Sequence, residues 1–368
     1  MVWNLASGRP ELILMNLEMR TMKKRSITGA LAAVFMASAL FAGNPQRVGS
    51  AAAFELLINP WARSAGWGGS NISAVRGLES SYLNVAGLAF TSGTEVMFSN
   101  TQWLMGSDIS INTVGLSQRV SDGGVLALSL TSFDYGEWDI TTVNQPEGGV
   151  GTIAPSSIVL GVSYAQKFTN TIYGGVTIKI FNQSINNLSG SAIMADAGVQ
   201  YITGEDDQIK FGVTLKNVGS NLIFEGDGNA ITLPVPQGGY SQSYEQLSSS
   251  FELPSQLSLG ASYDFLLSDG YRITPALSFQ SNSFEKDVFI GGMEFAWKQF
   301  LMVRAGYTYF DNRVDDGQKT TALTGMNYGM TFRAPLRKGS SSYFGLDYAY
   351  RATNPFNGIH TFSVQFDL

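Results

Sequence analysis

The sequence predicts an all-β protein: a transmembrane antiparallel β-barrel of about 14 strands with an N-terminal plug segment. Three observations favour this fold class. Apolar and polar residues alternate through many segments, short and long connections alternate between the segments, and an export signal precedes them. Residues 209–215 illustrate the alternation, because Ile209 and Phe211 are apolar while Lys210 and Thr214 are polar. A strand turns successive side chains to opposite faces, and ~9–11 residues of tilted strand cross a bilayer.

Residues 1–42 have the order of a signal-peptide region. The basic run 22–25 precedes an apolar stretch at 27–41, and the small residue Ala42 follows. This order is typical of a secretory signal peptide, with cleavage expected near Ala42. A membrane-anchor helix is the alternative, but such a helix requires ~20 apolar residues. Met22 is a second candidate for the start of the chain. Export of a barrel protein indicates the outer membrane of a Gram-negative bacterium.

Residues 43–93 are expected to form a glycine-rich plug or hatch. They lack the alternation of strands and contain closely spaced glycines, including Gly66, Gly68 and Gly69. Glycine permits positive φ angles and close approach of two backbones. A compact segment ahead of a barrel is therefore expected to fold into the lumen.

Residues 94–368 contain fourteen segments with the length and alternation of barrel strands. Each is expected to turn its apolar face to lipid and its polar face to the lumen. An even number of antiparallel strands leaves both chain ends on the periplasmic side. The expected strands are residues 95–103, 109–120, 125–135, 157–167, 172–184, 192–202, 208–218, 256–265, 271–280, 288–297, 301–310, 325–333, 343–351 and 359–368.

The connections between these strands are of two kinds. Connections two, four, six, eight and ten are tight, and two of them, at residues 121–124 and 266–270, contain Asp-Gly, a strong hairpin signal. Connections three, seven and eleven are long, at residues 136–156, 219–255 and 311–324. Short periplasmic turns and long external loops are typical of bacterial barrels. A soluble sandwich gives no reason for this sorting.

The composition argues against several functional classes. Charged residues make up 14% of the chain, against ~25% in typical soluble domains. The net charge of −6 disfavours nucleic acid as a partner, because phosphates require a basic surface. The single histidine, His360, and the absence of cysteine leave little for metal binding or histidine-dependent catalysis. We expect no enzyme, no cofactor, no metal site and no nucleic-acid partner.

Five cationic side chains fall at lumen-facing positions of the expected strands. They could line a pore, or they could fill and hydrate a closed lumen, which is the interpretation we favour. The five residues are Lys179, Lys210, Lys216, Arg272 and Arg304.

The longest external connection, residues 219–255, is a candidate partner-binding loop. It carries apolar and tyrosine side chains on a glycine- and serine-rich frame, a composition that suits an adaptable contact surface. The alternative is a loop that folds over the barrel mouth and closes it. The candidate contact residues are Phe224, Leu233, Pro234, Pro236, Tyr240 and Tyr244.

Two blocks ahead of the barrel resemble those of the PorV/PorQ family of outer-membrane proteins, which have a barrel like that of the fatty-acid transporter FadL. Residues 62–69 (ARSAGWGG) are similar to the family block A-R-A-A-G-M-G-G, and residues 82–89 (YLNVAGLA) to Y-W-N-P-A-G-L-A. Leu83 and Val85 depart from the second block. The resemblance implies a plug motif formed by Arg63, Gly66, Gly68, Gly69, Asn84, Ala86 and Gly87.

The resemblance also implies a role in the type IX secretion system of Bacteroidota-like bacteria. Such a protein is a non-enzymatic component that engages exported cargo domains, the translocon or cell-surface attachment proteins through its external loops. Outer-membrane lipids and lipopolysaccharide would surround it. The alternative function is a FadL-like channel for uptake of hydrophobic small molecules. A channel would be supported by a kink in a lipid-facing strand, for which Pro275 and the pair Gly291-Gly292 are candidates. A soluble secreted β-protein is a third hypothesis.

Overall fold

The computed structural model describes residues 45–236, 238–268, 270–309, 321–337 and 342–368. The expected signal peptide at residues 1–42 lies outside the described residues, as does most of the eleventh expected connection. Among the residues that are described, no helix is long and apolar enough to cross a membrane.

The described chain consists mainly of antiparallel strands, which we number in chain order. Fourteen are long, and the six short ones are β4, β5, β10, β11, β12 and β14. The strands are β1 (Thr94–Trp103), β2 (Ile109–Ser121), β3 (Gly124–Asp134), β4 (Trp138–Asp139), β5 (Thr152–Ile153), β6 (Ser156–Lys167), β7 (Ile172–Ile185), β8 (Leu188–Thr203), β9 (Ile209–Gly219), β10 (Ile223–Glu225), β11 (Ala230–Pro234), β12 (Ser241–Glu245), β13 (Gln256–Tyr263), β14 (Phe265–Ser268), β15 (Tyr271–Asn282), β16 (Val288–Trp297), β17 (Leu301–Tyr309), β18 (Leu323–Pro335), β19 (Tyr343–Thr353) and β20 (Ile359–Asp367).

The fourteen long strands close into a barrel. Each pairs with the long strand that precedes it and the one that follows it in the chain. The ring closes where β1 pairs with β20, with Phe98 opposite Val364. Closure gives every strand two neighbours, so no sheet edge faces lipid. The prediction of a 14-stranded antiparallel barrel is confirmed.

The two faces of the sheet differ as the alternation predicts. In β6, Ile158, Leu160 and Val162 face outward and are each more than 40% exposed, while Ser157 and Ser163 face inward and are 1% exposed. Exposed apolar side chains in this number are unfavourable in water but suit a hydrocarbon environment. The inward face of the barrel accordingly carries most of its polar side chains, and the apolar band on the outer face contacts lipid.

The connections also follow the predicted parity, with one difference. The turn between β2 and β3 consists of Asp122 and Gly123, and Gly123 has φ +89°. Residues 185–191 were expected as a seven-residue connection. Instead β7 and β8 extend into it and pair as far as Ile185 and Leu188. A two-residue turn remains at the external end, with Asn186 at φ +52°.

One irregularity interrupts the barrel wall at mid-sheet. The pairing of β8 with β9 shifts by one residue near Asp196. This bulge turns the consecutive residues Lys216 and Asn217 both toward the interior, where they are 3% and 1% exposed. Asn217 takes φ +59°, a left-handed conformation that asparagine tolerates better than most residues.

The residues expected to kink the wall do not shift its register. Pro275 and Gly291-Gly292 lie in an unbroken pairing of β15 with β16, and the glycine pair also pairs regularly with β17. Pro275 does interrupt the opposite ladder. There β13 and β14 are separate strands on either side of Asp264 and keep a common register. These candidate positions for a kink or bulge therefore contain no register shift, and they give no support to the channel alternative.

Residues 45–93 form a compact helical segment. Two short α-helices, α1 (Ala62–Gly66) and α2 (Ser80–Leu83), alternate with 3-10 turns at Pro45–Arg47, Phe54–Leu57, Ser70–Ser73 and Val85–Phe90. Trp61, Leu78, Val85 and Leu88 are nearly inaccessible and pack in an apolar cluster against inward side chains of the barrel.

Candidate functional site

The segment 45–93 contacts the lumenal face on several sides of the barrel. The Ala62 amide donates a hydrogen bond to Ser363 Oγ on β20 at 3.1 Å. Ser99 Oγ on β1 donates to the Pro60 carbonyl at 2.6 Å, and Ser73 Oγ donates to Ser262 Oγ on β13 at 2.8 Å. The segment therefore lies across the interior rather than along one strand.

Glycine permits the closest of these approaches. A Cβ atom on Gly66 of α1 would lie 2.8 Å from the Gly329 Cα on β18. A Cβ atom on Gly306 of β17 would lie 2.2 Å from the Trp67 carbonyl oxygen. Both distances are below van der Waals contact, so a larger residue at either position would push the segment away from the wall.

The seven residues of the expected plug motif all lie within this segment, and those of its second half lie around Asn84. Asn84 Nδ2 donates to the Ile72 carbonyl at 3.1 Å and to the Val199 carbonyl on β8 at 3.2 Å. Its Oδ1 accepts from the Ala86 amide at 3.3 Å, which caps the following 3-10 turn. Ala86 is completely buried, and the Gly87 carbonyl accepts from the Gly77 amide. Gly68 and Gly69 take φ +68° and +85°.

Arg63, the charged member of the motif, joins an ionic network inside the barrel. Its guanidinium lies 3.9 Å from Glu79 of the same segment and 3.5 Å from Asp347 on β19. Arg304 on β17 continues the network, since it lies 3.9 Å from Asp347 and 3.1 Å from Glu294 on β16. Arg272 on β15 closes the chain of contacts at 2.8 Å from Glu294. Three cations thus meet three carboxylates.

The electrostatics of the segment explain why this balance is needed. Burial raises the pKa of Glu79, and Arg63 together with a hydrogen bond from Ser64 Oγ counteracts part of the increase. Burial lowers the pKa of Arg63, but the carboxylates of Asp347 and Glu79 outweigh that effect and raise it well above its ordinary value. An uncompensated charge here would cost several kcal/mol of desolvation free energy, roughly the effective penalty for a buried ion.

A second polar cluster surrounds the wall bulge. Lys179 Nζ on β7 lies 2.7 Å from Asp196 Oδ2 on β8, and it also donates to Asn217 Oδ1. The Asn217 amide donates to Asp196 Oδ1 at 2.7 Å, because the bulge removes that amide from the ladder. Lys216 Nζ lies 3.8 Å above the ring of Tyr82 in the segment, a cation–π contact.

The five cations expected to face the lumen all lie on the inner face. Lys179, Arg272 and Arg304 are paired as described above, and Lys210 pairs with Asp264. Lys216 contacts an aromatic ring of the segment. Filling of the lumen is the interpretation that these contacts favour.

The acidic partners of these cations were missed at the sequence level. Glu79, Glu294 and Asp347 carry the negative charge of the ionic network, Asp196 that of the second cluster, and Asp264 pairs separately with Lys210. A usable signal existed, because three of the four barrel carboxylates stand at inward positions of alternating strands. What the alternation cannot give is the register that decides which cation meets which carboxylate.

A cavity of about 380 Å³ lies between the segment and strands β9 and β14–β18. Its wall includes Gly270 and Lys298 from two of the short turns, so it opens at the end of the barrel where the connections are tight. Charged residues dominate the lining, with Trp67 and Leu266 among the few large apolar side chains.

The candidate partner loop divides into two parts. Leu222 and Leu253 are nearly inaccessible and pack with Ala53 and Leu56 of the segment, and Phe224 packs at the edge of this cluster against Phe251. This part of the loop covers the external end of the interior.

The second part of the loop is an exposed β-hairpin formed by β11 and β12. Leu233, Tyr240 and Tyr244 are 47%, 62% and 44% exposed, and Pro234 and Pro236 are exposed as well. Of the six candidate contact residues, Phe224 therefore belongs to the closing part and the other five belong to the hairpin.

Comparison with solved structures reveals outer-membrane barrels of similar architecture. The Ralstonia pickettii toluene transporter TbuX has a TM-score of 0.52 and 11% identity, with 84% of this chain and 97% of that chain covered. A Pseudomonas aeruginosa FadL homologue has a TM-score of 0.49 and 12% identity, with 83% and 98% covered. At such identity, the likeness to TbuX supports the fold alone.

No curated protein has a sequence that matches this chain significantly. A family match does exist, since residues 41–283 of the 368 match the model of the type IX secretion system protein PorV. The matched region includes both blocks of the segment and the barrel strands through β15. The fold and the match together assign the protein to the outer membrane. The chain belongs to the PorV family of type IX secretion system proteins.

Proposed function

We propose that this protein is a non-enzymatic component of type IX secretion that engages an exported protein or a protein of the translocon or attachment complex through its external loops. Residues 43–93 act in this proposal as a plug that closes the barrel, and residues 94–368 form the barrel itself. Transport through the lumen is not required for such a role.

The observation that carries the proposal is the hairpin of β11 and β12. It presents Ile231, Leu233, Tyr240 and Tyr244 at 42–62% exposure on a loop at the external end. Tyrosine is enriched among the few residues that dominate binding energy at protein interfaces, and apolar neighbours exclude water around such residues. The hairpin has no apolar core in which these side chains could be buried. Contact with another protein would bury them.

The lumen supports the same proposal. Ionic contacts and hydrogen bonds connect the segment to β1, β8, β13, β19 and β20. Moving it would separate Arg63 from Asp347 and break the hydrogen bonds that join the segment to the inner wall. A segment held in this way suits a closed support for external loops.

The alternative is a FadL-like channel for hydrophobic small molecules. The bulge between β8 and β9 is the observation in its favour, because a bulge locally disrupts the wall. Sites for hydrophobic ligands are lined mainly by apolar side chains. The interior beside this bulge instead holds Lys179, Asp196, Lys216 and Asn217. We therefore favour the secretion role.

The test uses Leu233→Asp in the hairpin. A charge on the hairpin should weaken co-purification of partner proteins by roughly tenfold, which corresponds to the loss of ~1.4 kcal/mol of contact free energy. Secretion of type IX cargo to the cell surface should fall in parallel. Both are measured in a strain that carries only the variant, with affinity purification from the native membrane and surface proteomics.

The matched control is Val143→Asp, which adds the same charge to a fully exposed aliphatic residue in a different long external loop, residues 136–156. Its partners and secreted cargo should be unchanged. Equal secretion by both variants and the wild type would contradict the proposal. A defect in uptake of hydrophobic compounds in place of a secretion defect would support the channel.

A further inference from the structure

The cavity at the short-turn end of the barrel carries an excess of positive charge. Its cationic lining residues are Arg63, Arg76, Lys210, Arg272, Lys298 and Arg333. Its carboxylates are Glu79, Asp264 and Glu294, so the described lining has a surplus of three positive charges, six minus three. The whole chain has a net charge of −6. A cationic cavity in an acidic protein therefore calls for a local explanation.

Several of these cations already have anionic partners. Lys210 pairs with Asp264, Arg333 pairs with Asp367, and Arg63 lies in the ionic network. Their charges are largely compensated within the protein. They set the polarity of the cavity wall but leave few donors for a ligand.

Two cations lack a carboxylate partner among the described residues. Arg76 lies in an exposed position with its guanidinium 4.4 Å from the Phe90 ring, and Lys298 runs along Gly270 in the turn between β16 and β17. A third donor is Arg272 Nε, which is buried and has no hydrogen-bond acceptor in the described structure. Arg272 uses only its Nη2 for Glu294.

The cations also repel one another. Burial lowers the pKa of Arg76, the Asp264 carboxylate counteracts part of that decrease, and the neighbouring Arg272 lowers the pKa further. Like charges held together in a partly enclosed cavity raise the local concentration of anions. Guanidinium groups present paired N–H donors whose spacing matches the oxygens of phosphate and carboxylate.

We propose that this cavity is a binding site for a small organic oxyanion, whose phosphate or carboxylate group contacts Arg76, Arg272 and Lys298. Trp67 and Leu266, which line the same cavity, accommodate a short apolar body of that ligand. The ligand enters from the periplasm, because the cavity opens at the end with the short turns. The site is independent of the external loops and of the secretion role proposed for them.

The test is isothermal titration calorimetry on the full-length protein purified in detergent. The probes are inorganic phosphate, butyl phosphate and pentanoate. We expect saturable binding of butyl phosphate that is tighter than that of inorganic phosphate and weakens as NaCl is raised. Tighter binding of pentanoate than of butyl phosphate would identify a carboxylate as the preferred group.

Two variants locate the site. Arg76→Gln and Lys298→Gln should each weaken butyl phosphate binding about tenfold, the loss expected for one charged hydrogen-bonding partner. Lys167→Gln removes an exposed lysine at the same end of the barrel but outside the cavity, and should leave the affinity unchanged. Heat-dependent gel mobility verifies that all three variants fold. An equal loss in Lys167→Gln, or no saturable binding of any probe by the wild type, would overturn the proposal.

Discussion

Single charged residues decide whether the interior of this barrel is stable. Arg63 is the residue on which the contacts between segment and wall depend most. It lies near Glu79 and Asp347, and its Nη2 donates to Gln365 Oε1 at 3.3 Å. Its side chain is 18% exposed, so water screens these contacts only weakly. The pairing offsets part of the cost of removing both carboxylates from water.

Arg63→Ala should therefore be strongly destabilising. Removing one partner of a buried ionic network leaves the others uncompensated, at a cost of roughly 3–5 kcal/mol. The measurement is the temperature at which the folded form is lost in heat-dependent gel mobility. Arg47→Ala is the matched control. Arg47 pairs with Glu252 at 2.7 Å but is 40% exposed, and such pairs contribute at most ~1 kcal/mol. Equal losses in the two variants would contradict this account of Arg63.

The loss in Arg63→Ala should also depend on pH. Glu79 already has a pKa above its ordinary value of 4.5, because it is buried, and losing Arg63 raises it further. A carboxyl with a higher pKa in the folded state binds its proton more tightly there. The contribution of Glu79 to folding stability is therefore greatest below pH 4.5 and decreases as pH rises. The variant should be closer to the wild type at pH 4.5 than at pH 7.5. Adding Glu79→Gln to the variant should remove this difference.

The sequence could predict these residues only in part. Alternation along β7, β9, β15 and β17 predicts that five cations face the interior. Alternation does not reveal which residues of adjacent strands lie side by side, because that depends on the pairing register of the closed barrel. The bulge at Asn217 shows the limit most clearly. A one-residue shift turns Lys216 and its neighbour to the same face, which no regular alternation anticipates.

At the scale of elements, the long loop combines two functions that the sequence offered as alternatives. Its two ends form β10 and the Leu222–Phe251 bridge, which cover the external end of the interior. Its centre is the exposed hairpin of β11 and β12. The composition of the loop is similar throughout, so only the fold separates the buried leucines from the exposed ones.

Leu222→Ala should loosen the closing part of the loop. Leu222 is completely buried among Leu56, Phe181 and Leu253, and truncating such a side chain costs roughly 2–5 kcal/mol. The loop should then become sensitive to limited proteolysis on intact cells. Leu247→Ala provides the comparison, because Leu247 is 93% exposed in the same loop and should leave cleavage unchanged. A protease-resistant loop in Leu222→Ala would mean that this cluster does not hold the loop in place.

At the scale of the whole molecule, the barrel and the segment form one compact unit. Strand length, alternation and loop parity were enough to predict fourteen strands, because lipid imposes the same requirement on every strand. The folded path of residues 45–93 was beyond that reasoning. Its helices are four and five residues long and are positioned by contacts with the barrel wall rather than by their own periodicity.

Fixing the segment to the barrel wall would distinguish the secretion role from the channel role. The natural chain has no cysteine, so a cysteine pair can be introduced without interference. Ala62→Cys with Ser363→Cys joins the segment to β20 where the Ala62 amide already meets Ser363 Oγ at 3.1 Å. Oxidation or a short thiol crosslinker would then prevent the segment from leaving the lumen, and the two single variants treated in the same way are the controls.

If external loops carry out secretion, crosslinked cells should export type IX cargo as well as the single variants do. A channel for hydrophobic molecules requires the segment to move, since it contacts the wall at β1, β8, β13 and β20. If the protein is also such a channel, crosslinked cells should lose uptake of hydrophobic molecules while secretion continues. Loss of cargo export on oxidation, with recovery after reduction, would show that secretion itself requires movement of the segment and that the lumen is not merely a closed support.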